Sequence, residues 1–422
     1  MKSLSSIGAK AGAADYRDTI TATVRDPLAL FTNFQWFVFR ARNTVFYTAY
    51  SSHRFDEEML NRLVARIVSL APQLTQGFIG ARPGEALPQR LVDEITSIGE
   101  VDSFEKFPGA WLKPGLDIYD TPRLPLFRVE IAIRRGGPDA EGRQSAILVR
   151  SSHALMEGSD SALINRSQFS GHGSMKSAVD RVPWFEKLVY RGIAAAMAPF
   201  HLVAAHFLSP GKAAIEFSTQ LFERRELRLA AARLGVRQRS VMFALVLYAV
   251  FRSETGKPKK IRIAYTTLTG KRLDADDDFF RVRALDASHV IDGSLAEFVR
   301  AVDRTLDKVE SRNIARRQFV LNAMFGAHRF LARILPFAYN QRFFRYSGPY
   351  QAVLTLVPPH RMYGNLTLGM LEPIYCGSYH PGTNLCTFVP ARHWVSFSYT
   401  MPRHLLDRAA FVPELLRSLI EG

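Results

Sequence analysis

The sequence predicts an α/β protein built as two domains, and three observations predict it. Short runs rich in β-branched and aromatic residues alternate with longer stretches whose apolar residues recur at helical spacing. The chain has 422 residues, too many for one ordinary core and suited to two of about 200 residues each. Hydrophobic residues make up 47% and charged residues 22%, the balance of a folded chain rather than a disordered one.

Residues 1–24 read as a flexible tail; Met1-Lys2 is followed by small polar residues, not by the apolar stretch of a signal peptide. Pro27 to Arg40 is densely apolar and aromatic, and Asn43 to Tyr50 reads as a strand. Asp56, Glu57 and Glu58 put negative charge where a helix begins, Leu60, Leu63, Val64, Ile67, Val68 and Ala71 follow at helical spacing, and Pro72 closes the helix. Residues 80–120 are irregular. Phe127, Val129, Ile131 and Ile133 then alternate with Arg128, Glu130 and Arg134, the pattern of a half-exposed strand. Gly136 to Gly142 is a turn leading into a second strand, Ser145 to Arg150. Arg143-Gln144 stands where a phosphate-binding loop needs Lys-Ser/Thr, so that reading is excluded.

Gly192 to Leu208 carries no Asp, Glu, Lys or Arg over 17 residues and is interrupted by Pro199. That is at or below the minimum for crossing a bilayer. Two readings stand: a membrane-surface or substrate-tunnel segment flanked by Lys187, Arg191 and Lys212, or a buried helix pair. Arg239 to Arg252 is apolar nearly all round, hence a buried helix. Lys260 to Leu268 alternates as a strand does. His289 to Gly293 reads as a strand end and turn, and Ser294 to Glu297 as a capping box ahead of the stripe Leu295, Phe298, Val299, Val302, Leu306, Val309. Phe319 to Tyr346 mixes aromatics with Arg329, Arg333, Arg342 and Arg345, as an interfacial segment, an acyl-chain floor or a core helix pair with solvated arginines would. Strands are expected at Gln351–Val357, Gly364–Leu371, Leu385–Pro390 and Trp394–Met401, and a last helix at Arg403–Ile420.

The formal charge of +16 needs an anionic partner or a merely basic surface. No nucleic-acid module is recognisable. Anionic lipid headgroups and the phosphates of a cofactor such as CoA are the better partners. Cys376 and Cys386 form neither a disulfide framework nor a zinc motif, which suits a reducing, cytoplasmic setting. The acidic loop Asp276 to Phe280 lacks calcium-loop spacing, and His172 between Gly171 and Gly173 reads as loop, so no metal is expected. There is no zinc-protease helix motif, no Gly-x-Ser-x-Gly elbow and no dinucleotide fingerprint.

The chemistry concentrates at Ser151-Ser152-His153-Ala154-Leu155-Met156-Glu157-Gly158. The strand from Ser145 ends at the histidine, and Ser159-Asp160 can cap a helix starting near Ser161. An imidazole, with an ordinary pKa near about 6.5, can take a proton at neutral pH. A carboxylate four residues on can hold the turn, and the glycine after it lets the backbone bend and a substrate come close. With 11 His, 39 Asp+Glu and 27 Gly in the chain, this pattern is expected by chance about 0.07 times. His53-Arg-Phe-Asp-Glu57 has the spacing but not the glycine. The plainer reading of His153 is a strand-end histidine bonded to backbone.

Across residues 25 to 420 this arrangement resembles the CoA-dependent acyltransferase superfamily: chloramphenicol acetyltransferase, the plant BAHD acyltransferases, bacterial wax ester synthase/diacylglycerol acyltransferases and peptide-synthetase condensation domains. Their motif is His-His-x-x-x-Asp-Gly, or His-x-x-x-Asp in short form. Here His153 stands for the second histidine, Ser152 for the first, Glu157 for the aspartate and Gly158 for the glycine. Pro125-Leu126-Phe127 looks like the Pro-Leu-Trp before the matching strand of wax ester synthases, whereas Arg239-Ser240 stands where those enzymes carry Asn-Asp. The resemblance implies two chloramphenicol-acetyltransferase-like subdomains, each a mixed sheet with helices, in a V-shaped pseudo-dimer with a central tunnel. It places the motif in residues 25–182, an apolar crossover in 183–212 and the second subdomain in 213–422. It further implies a monomer that transfers an acyl group directly from acyl-CoA, or from an acyl-carrier protein, to the hydroxyl or amine of a lipidic acceptor, with no bound cofactor. His153 would be the general base. Glu157 would turn from the substrate to pair with an arginine, Gly158 would keep the tunnel open, and Ser152 or a hydroxyl of the second subdomain would donate to the oxyanion. The departures at Ser152, Glu157 and Arg239-Ser240 leave a catalytically inactive lipid-binding or scaffold protein as the alternative. A peripheral position at the inner face of a membrane is the accompanying expectation.

Overall fold

In the computed structural model the N-terminal part builds a sheet around β1 (Thr44–Ser51), every residue of which is buried. The structure describes residues 33–70, 87, 89–105, 107, 118–119, 126–154, 182–209, 215–253, 257–268, 282–310, 314–346, 350–357, 370–380 and 382–422. Before β1 comes helix α1 (Asn33–Arg40); after it come α2 (Glu57–Leu70), α3 (Gln89–Ile95), β2 (Thr96–Val101), β3 (Phe127–Arg134), β4 (Ser145–Ser152) and the long α4 (Trp184–Leu208). The C-terminal part follows as β5 (Ile215–Glu223), α5 (Arg224–Leu234), α6 (Gln238–Phe251), β6 (Lys259–Leu268), β7 (Val282–Ile291), α7 (Leu295–Glu310) and α8 (Ile314–Ile334). It closes with α9 (Gln341–Phe344), β8 (Ala352–Leu356), β9 (Met370–Tyr379), β10 (Leu385–Pro390), β11 (Trp394–Pro402), α10 (Arg403–Ala409) and α11 (Val412–Glu421). The strands form two mixed sheets, ordered β2-β3-β4-β1-β9 and β5-β11-β10-β8-β6-β7.

Each expected core helix does what its apolar spacing demands. The side-chain carboxylate of Asp56 caps α2, accepting from Met59 N at 2.7 Å. Leu60, Leu63, Val64, Ile67 and Val68 are buried with Val129, Ile131 and Ile147 of the first sheet. In the second half α6 is buried nearly all round, and the α7 stripe Leu295, Phe298, Val299, Val302, Leu306 and Val309 joins it in one core. The capping box forms in both directions: Ser294 N donates to Glu297 Oε2 at 3.0 Å and Glu297 N donates to Ser294 Oγ at 3.3 Å. Those bonds hold the Glu297 carboxyl below its ordinary value.

Four expectations are corrected. First, β3 is not half-exposed: Arg128 is buried, and Glu130 is half-buried where it pairs with buried Arg150. Arg128 stands opposite Arg150, and Arg150 opposite Phe46, so all three share one face of the sheet. On that face Phe46 meets Phe217 of β5 edge-on at 4.9 Å, so the second sheet closes over what the alternation marks as a wet side. Second, Pro199 does not interrupt the apolar stretch, since α4 runs through it as one helix. At 25 residues α4 is also longer than the 17-residue apolar stretch suggests, and by length and composition it is long and apolar enough to cross a membrane. Third, the strand expected at Gly364–Leu371 lies mostly outside the described residues, while Met370–Tyr379 forms β9 and pairs with β1 in the first sheet. Its register skips Glu372 and Pro373, as a residue without an N–H requires. Fourth, the closing helix is two helices, broken at Ala410–Phe411, because Pro413 can occupy only the first turn of α11.

Gly377 is the close-packing point between these strands. It faces Phe46 across the β1–β9 ladder, and a Cβ there would come within 2.2 Å of Phe46 Cζ. The ring is buried and already braced by Phe217, so it has nowhere cheap to go. Gly377→Ala is expected to destabilise the protein by about 1–3 kcal/mol through overpacking. Denaturant melts check this, and combining it with Phe46→Leu should cost less than the sum of the two changes.

Candidate functional site

His153 is the first residue past β4, and its backbone is fixed by one bond of its own and two on the next residue. Its N–H donates to the Asn43 carbonyl at 2.8 Å, extending the β1–β4 pairing by one step. The next residue is held at both ends: Ala154 N donates to Ser152 Oγ at 3.2 Å, and Gln35 Nε2 from α1 donates to the Ala154 carbonyl at 2.9 Å. His153 itself is half-buried, whereas Ser152 and Ala154 on either side are fully buried. The imidazole is thus the group that this strand end presents at the boundary of the core.

Ser152 turns inward. Its hydroxyl lies 2.8 Å from the hydroxyl of Tyr119, which also bonds to the Asn43 carbonyl. Burial pushes the Tyr119 phenol well above its ordinary range, so it stays protonated and able to donate. Gln35, Asn43, Tyr119 and Ser152 therefore form one polar clasp around the backbone of His153. Among the described residues, the buried side-chain oxygens of Asn43 and Ser151 next to this clasp have no hydrogen-bond partner.

Sequence reading singles out Ser152 and His153, which the strand end brings together, but not Gln35, Asn43 or Tyr119. These come from an aromatic helix, a strand start and an irregular stretch, and none carries a motif. Glu157 and Gly158 lie outside the described residues, as do His172 and the Asp276–Phe280 loop. At the start of α6, Arg237 Nε and Ser240 Oγ both donate to Asp303 of α7, at 2.8 Å and 2.5 Å. These bonds join two core helices and hold the Asp303 carboxyl below its ordinary value, although burial opposes them. His289 lies within β7, just before its end, buried and 2.6 Å from the Tyr265 hydroxyl. Among the described residues no group of three or more His, Cys, Asp or Glu side chains is placed to hold a metal ion.

The sheet orders and the helices between them match solved structures over nearly the whole chain. The trichothecene 15-O-acetyltransferase TRI3 from Fusarium sporotrichioides aligns with a TM-score of 0.55 at 9% identity, covering 92% of this chain and 95% of its own. Polyketide synthase associated protein 5 from Mycobacterium tuberculosis aligns with a TM-score of 0.52 at 12% identity, covering 92% and 95%. The first condensation domain of the calcium-dependent antibiotic synthetase gives 0.51 at 12% identity, covering 93% and 96%. The chain thus has the two-subdomain, chloramphenicol acetyltransferase-like fold shared by CoA-dependent acyltransferases and condensation domains. No protein-family model and no curated protein matches the sequence.

Proposed function

We propose that this protein is an acyltransferase that moves an acyl group from a CoA thioester to the hydroxyl or amine of a lipidic acceptor. The observation that carries the reading is the placement of His153. A half-buried imidazole sits at the end of a central strand, on a backbone clasped by Asn43, Ser152 and Gln35, in a fold used for acyl transfer. His153 takes the proton of the acceptor as its oxygen or nitrogen attacks the thioester carbonyl. The tetrahedral intermediate collapses with cleavage of the C–S bond, and the imidazolium returns the proton to the leaving thiolate. No acyl-enzyme forms, so both substrates meet at His153 and their fixed geometry supplies much of the rate.

Ser152 is a positioning residue in this scheme. Its Oγ accepts from the Tyr119 hydroxyl and from Ala154 N and the side chain is fully buried, which favours holding the corner over facing an oxyanion. A carrier-protein thioester is the second donor to test, because the condensation-domain fold aligns equally along the chain and the +16 surface suits an acidic carrier.

The test is thiol release from acyl-CoAs of graded chain length and from an acyl-carrier protein, with and without a lipid extract as acceptor. Acceptor-dependent release, with the acylated product identified by mass, supports the proposal. Absence of turnover with every donor sinks it and leaves a binding or scaffold protein on the same fold.

A further inference from the structure

The helix α4 is packed along one side only. Ala194, Ala198, Leu202 and Ala205 are buried, but Trp184, Phe200 and Phe207 are 74%, 70% and 80% exposed, and Phe185, Leu188, Val189, Ile193, Met197 and Val203 lie open between them. The helix is about 37 Å long at 1.5 Å per residue, so this is a ridge and not a spot. On the neighbouring helix and the turn after it, Phe330, Ile334 and Phe337 are exposed too, Phe337 at 77% and next to Ala338, whose carbonyl meets His206 of α4. An apolar face of this extent is far beyond the scattered exposed side chains of an ordinary surface.

The inner side of α4 is anchored by polar bonds near its start and along its last turns. Glu186 accepts two bonds from Arg316, both at 2.6 Å. His201 Nδ1 lies 2.9 Å from His328 Nε2, His206 Nε2 lies 2.8 Å from the Ala338 carbonyl, and Ser209 Oγ donates to the Arg342 carbonyl at 2.7 Å. Glu186, Tyr190 and His201 meet Arg316, Phe319 and His328 in the same order along the two helices, so α4 and α8 lie parallel and side by side. Although α4 is long and apolar enough to cross a membrane, these bonds favour a helix that lies against the protein.

Charge decides what covers the ridge. From Ile314 to Tyr346 there is no Asp or Glu, and in α4 the one acid is Glu186, already held by Arg316. The rim is cationic: Lys187 and Arg191 beside Phe319, and exposed Arg333 and Arg342 at the other end. A second copy of the chain would bring like charges together around the same face. An anionic bilayer offers acyl chains to the ridge and phosphates to the rim.

We propose that the outer face of the α4–α8 pair docks the protein flat onto an anionic phospholipid bilayer. The helices enter the headgroup layer with Phe200, Phe207 and Phe337 leading, and Lys187, Arg191, Arg333 and Arg342 reach the phosphates. This holds whether or not His153 acts as a base.

The experiment is cosedimentation of the full chain with vesicles of equal parts phosphatidylglycerol and phosphatidylcholine, and with phosphatidylcholine alone. The protein is expected to pellet with the mixed vesicles, to do so less at high salt, and to stay largely in solution with the neutral ones. Phe200→Asp with Phe207→Asp should lower partitioning by about 10²-fold or more, since two large apolar side chains lose their insertion. Phe207→Asp alone should lower it less, and Phe411→Asp, an exposed apolar site elsewhere, should leave it unchanged. Far-UV circular dichroism confirms that each variant is folded. The proposal is overturned if the wild type ignores the mixed vesicles, binds neutral ones equally, or is insensitive to the paired substitution. It is also overturned if the wild type is a dimer that this pair of substitutions dissociates. Thiol release with a water-soluble acceptor is read separately, so loss of docking and loss of catalysis are distinguishable.

Discussion

His153→Ala is expected to lower acceptor-dependent thiol release by about 10²- to 10⁴-fold, the range that one positioned general base supplies. The size follows from what the substitution leaves untouched. The His153 backbone is held by Asn43, and its neighbours by Tyr119 and Gln35, none of which depends on the imidazole. The protein should therefore fold, and its thioester affinity should stay within a few-fold. Loss confined to turnover, with KM for the acyl donor little changed, is the signature of a proton acceptor. His153→Gln tests the same point from the other side. It keeps a polar side chain of similar reach but cannot take a proton near neutral pH, so it should be as impaired as alanine. If either variant retains wild-type turnover, the plain strand-end reading of His153 is correct and the acyl-transfer proposal loses its base.

The parts of this fold written in local pattern were legible in the sequence, and those made by distant pairing were not. The α2 and α7 stripes, the Ser294–Glu297 box and the all-apolar α6 depend on neighbours three and four residues away, and each lies where its spacing puts it. The strand end before His153 is legible because the apolar run Ala146 to Val149 stops just short of it. The face of β3 that alternation marks as wet is covered, because alternation reports polarity and not cover. Arg128, Glu130 and Arg150 turn to the side where Phe217 of the second sheet arrives, and no local pattern announces that. For the same reason no local pattern marks β9 as a partner of β1, which it reaches from more than 300 residues along the chain. The clasp around His153 unites residues 35, 43, 119 and 152, and only the folded chain makes them one site. The exposed ridge was legible as apolar composition, but whether it faced the core or solvent depended on where α8 lay.

Lowering the pH from 7 to 5 is expected to cost the fold about 4 kcal/mol, through two histidines outside the candidate site. His328 and His289 are buried, and burial lowers their pKa values to about 3 and about 4. For His328 the neighbouring His201, itself lowered by burial, adds to the effect. The bonding explains why a second proton is unwelcome. His328 Nδ1 lies 2.9 Å from the Tyr339 hydroxyl and Nε2 lies 2.9 Å from His201 Nδ1, so a neutral chain can pass one donor along each step. Protonating both imidazoles would set N–H against N–H. His289, 2.6 Å from the Tyr265 hydroxyl, is likewise satisfied while neutral.

The sign follows from linkage. Each folded-state pKa lies below the ordinary value of about 6.5, so between that value and the folded one the unfolded chain binds a proton that the native chain refuses. Stability is full above about pH 7 and declines as pH falls through 6.5, by about 2 kcal/mol for each histidine at pH 5. The lowered carboxylates, such as Asp139 and Asp303, act in a different window. Their contribution stays intact until pH nears the ordinary carboxylate range of about 4 and is lost below it. A loss of about 4 kcal/mol is a large share of the 5–15 kcal/mol that holds a typical domain. Urea melts at pH 7 and pH 5 measure it directly. His289→Gln keeps an acceptor for Tyr265 and removes one titrating group, so this variant should lose about 2 kcal/mol less than the wild type over the same interval. Equal losses in both proteins would show that His289 is protonated freely in the fold and that its burial carries no pH dependence.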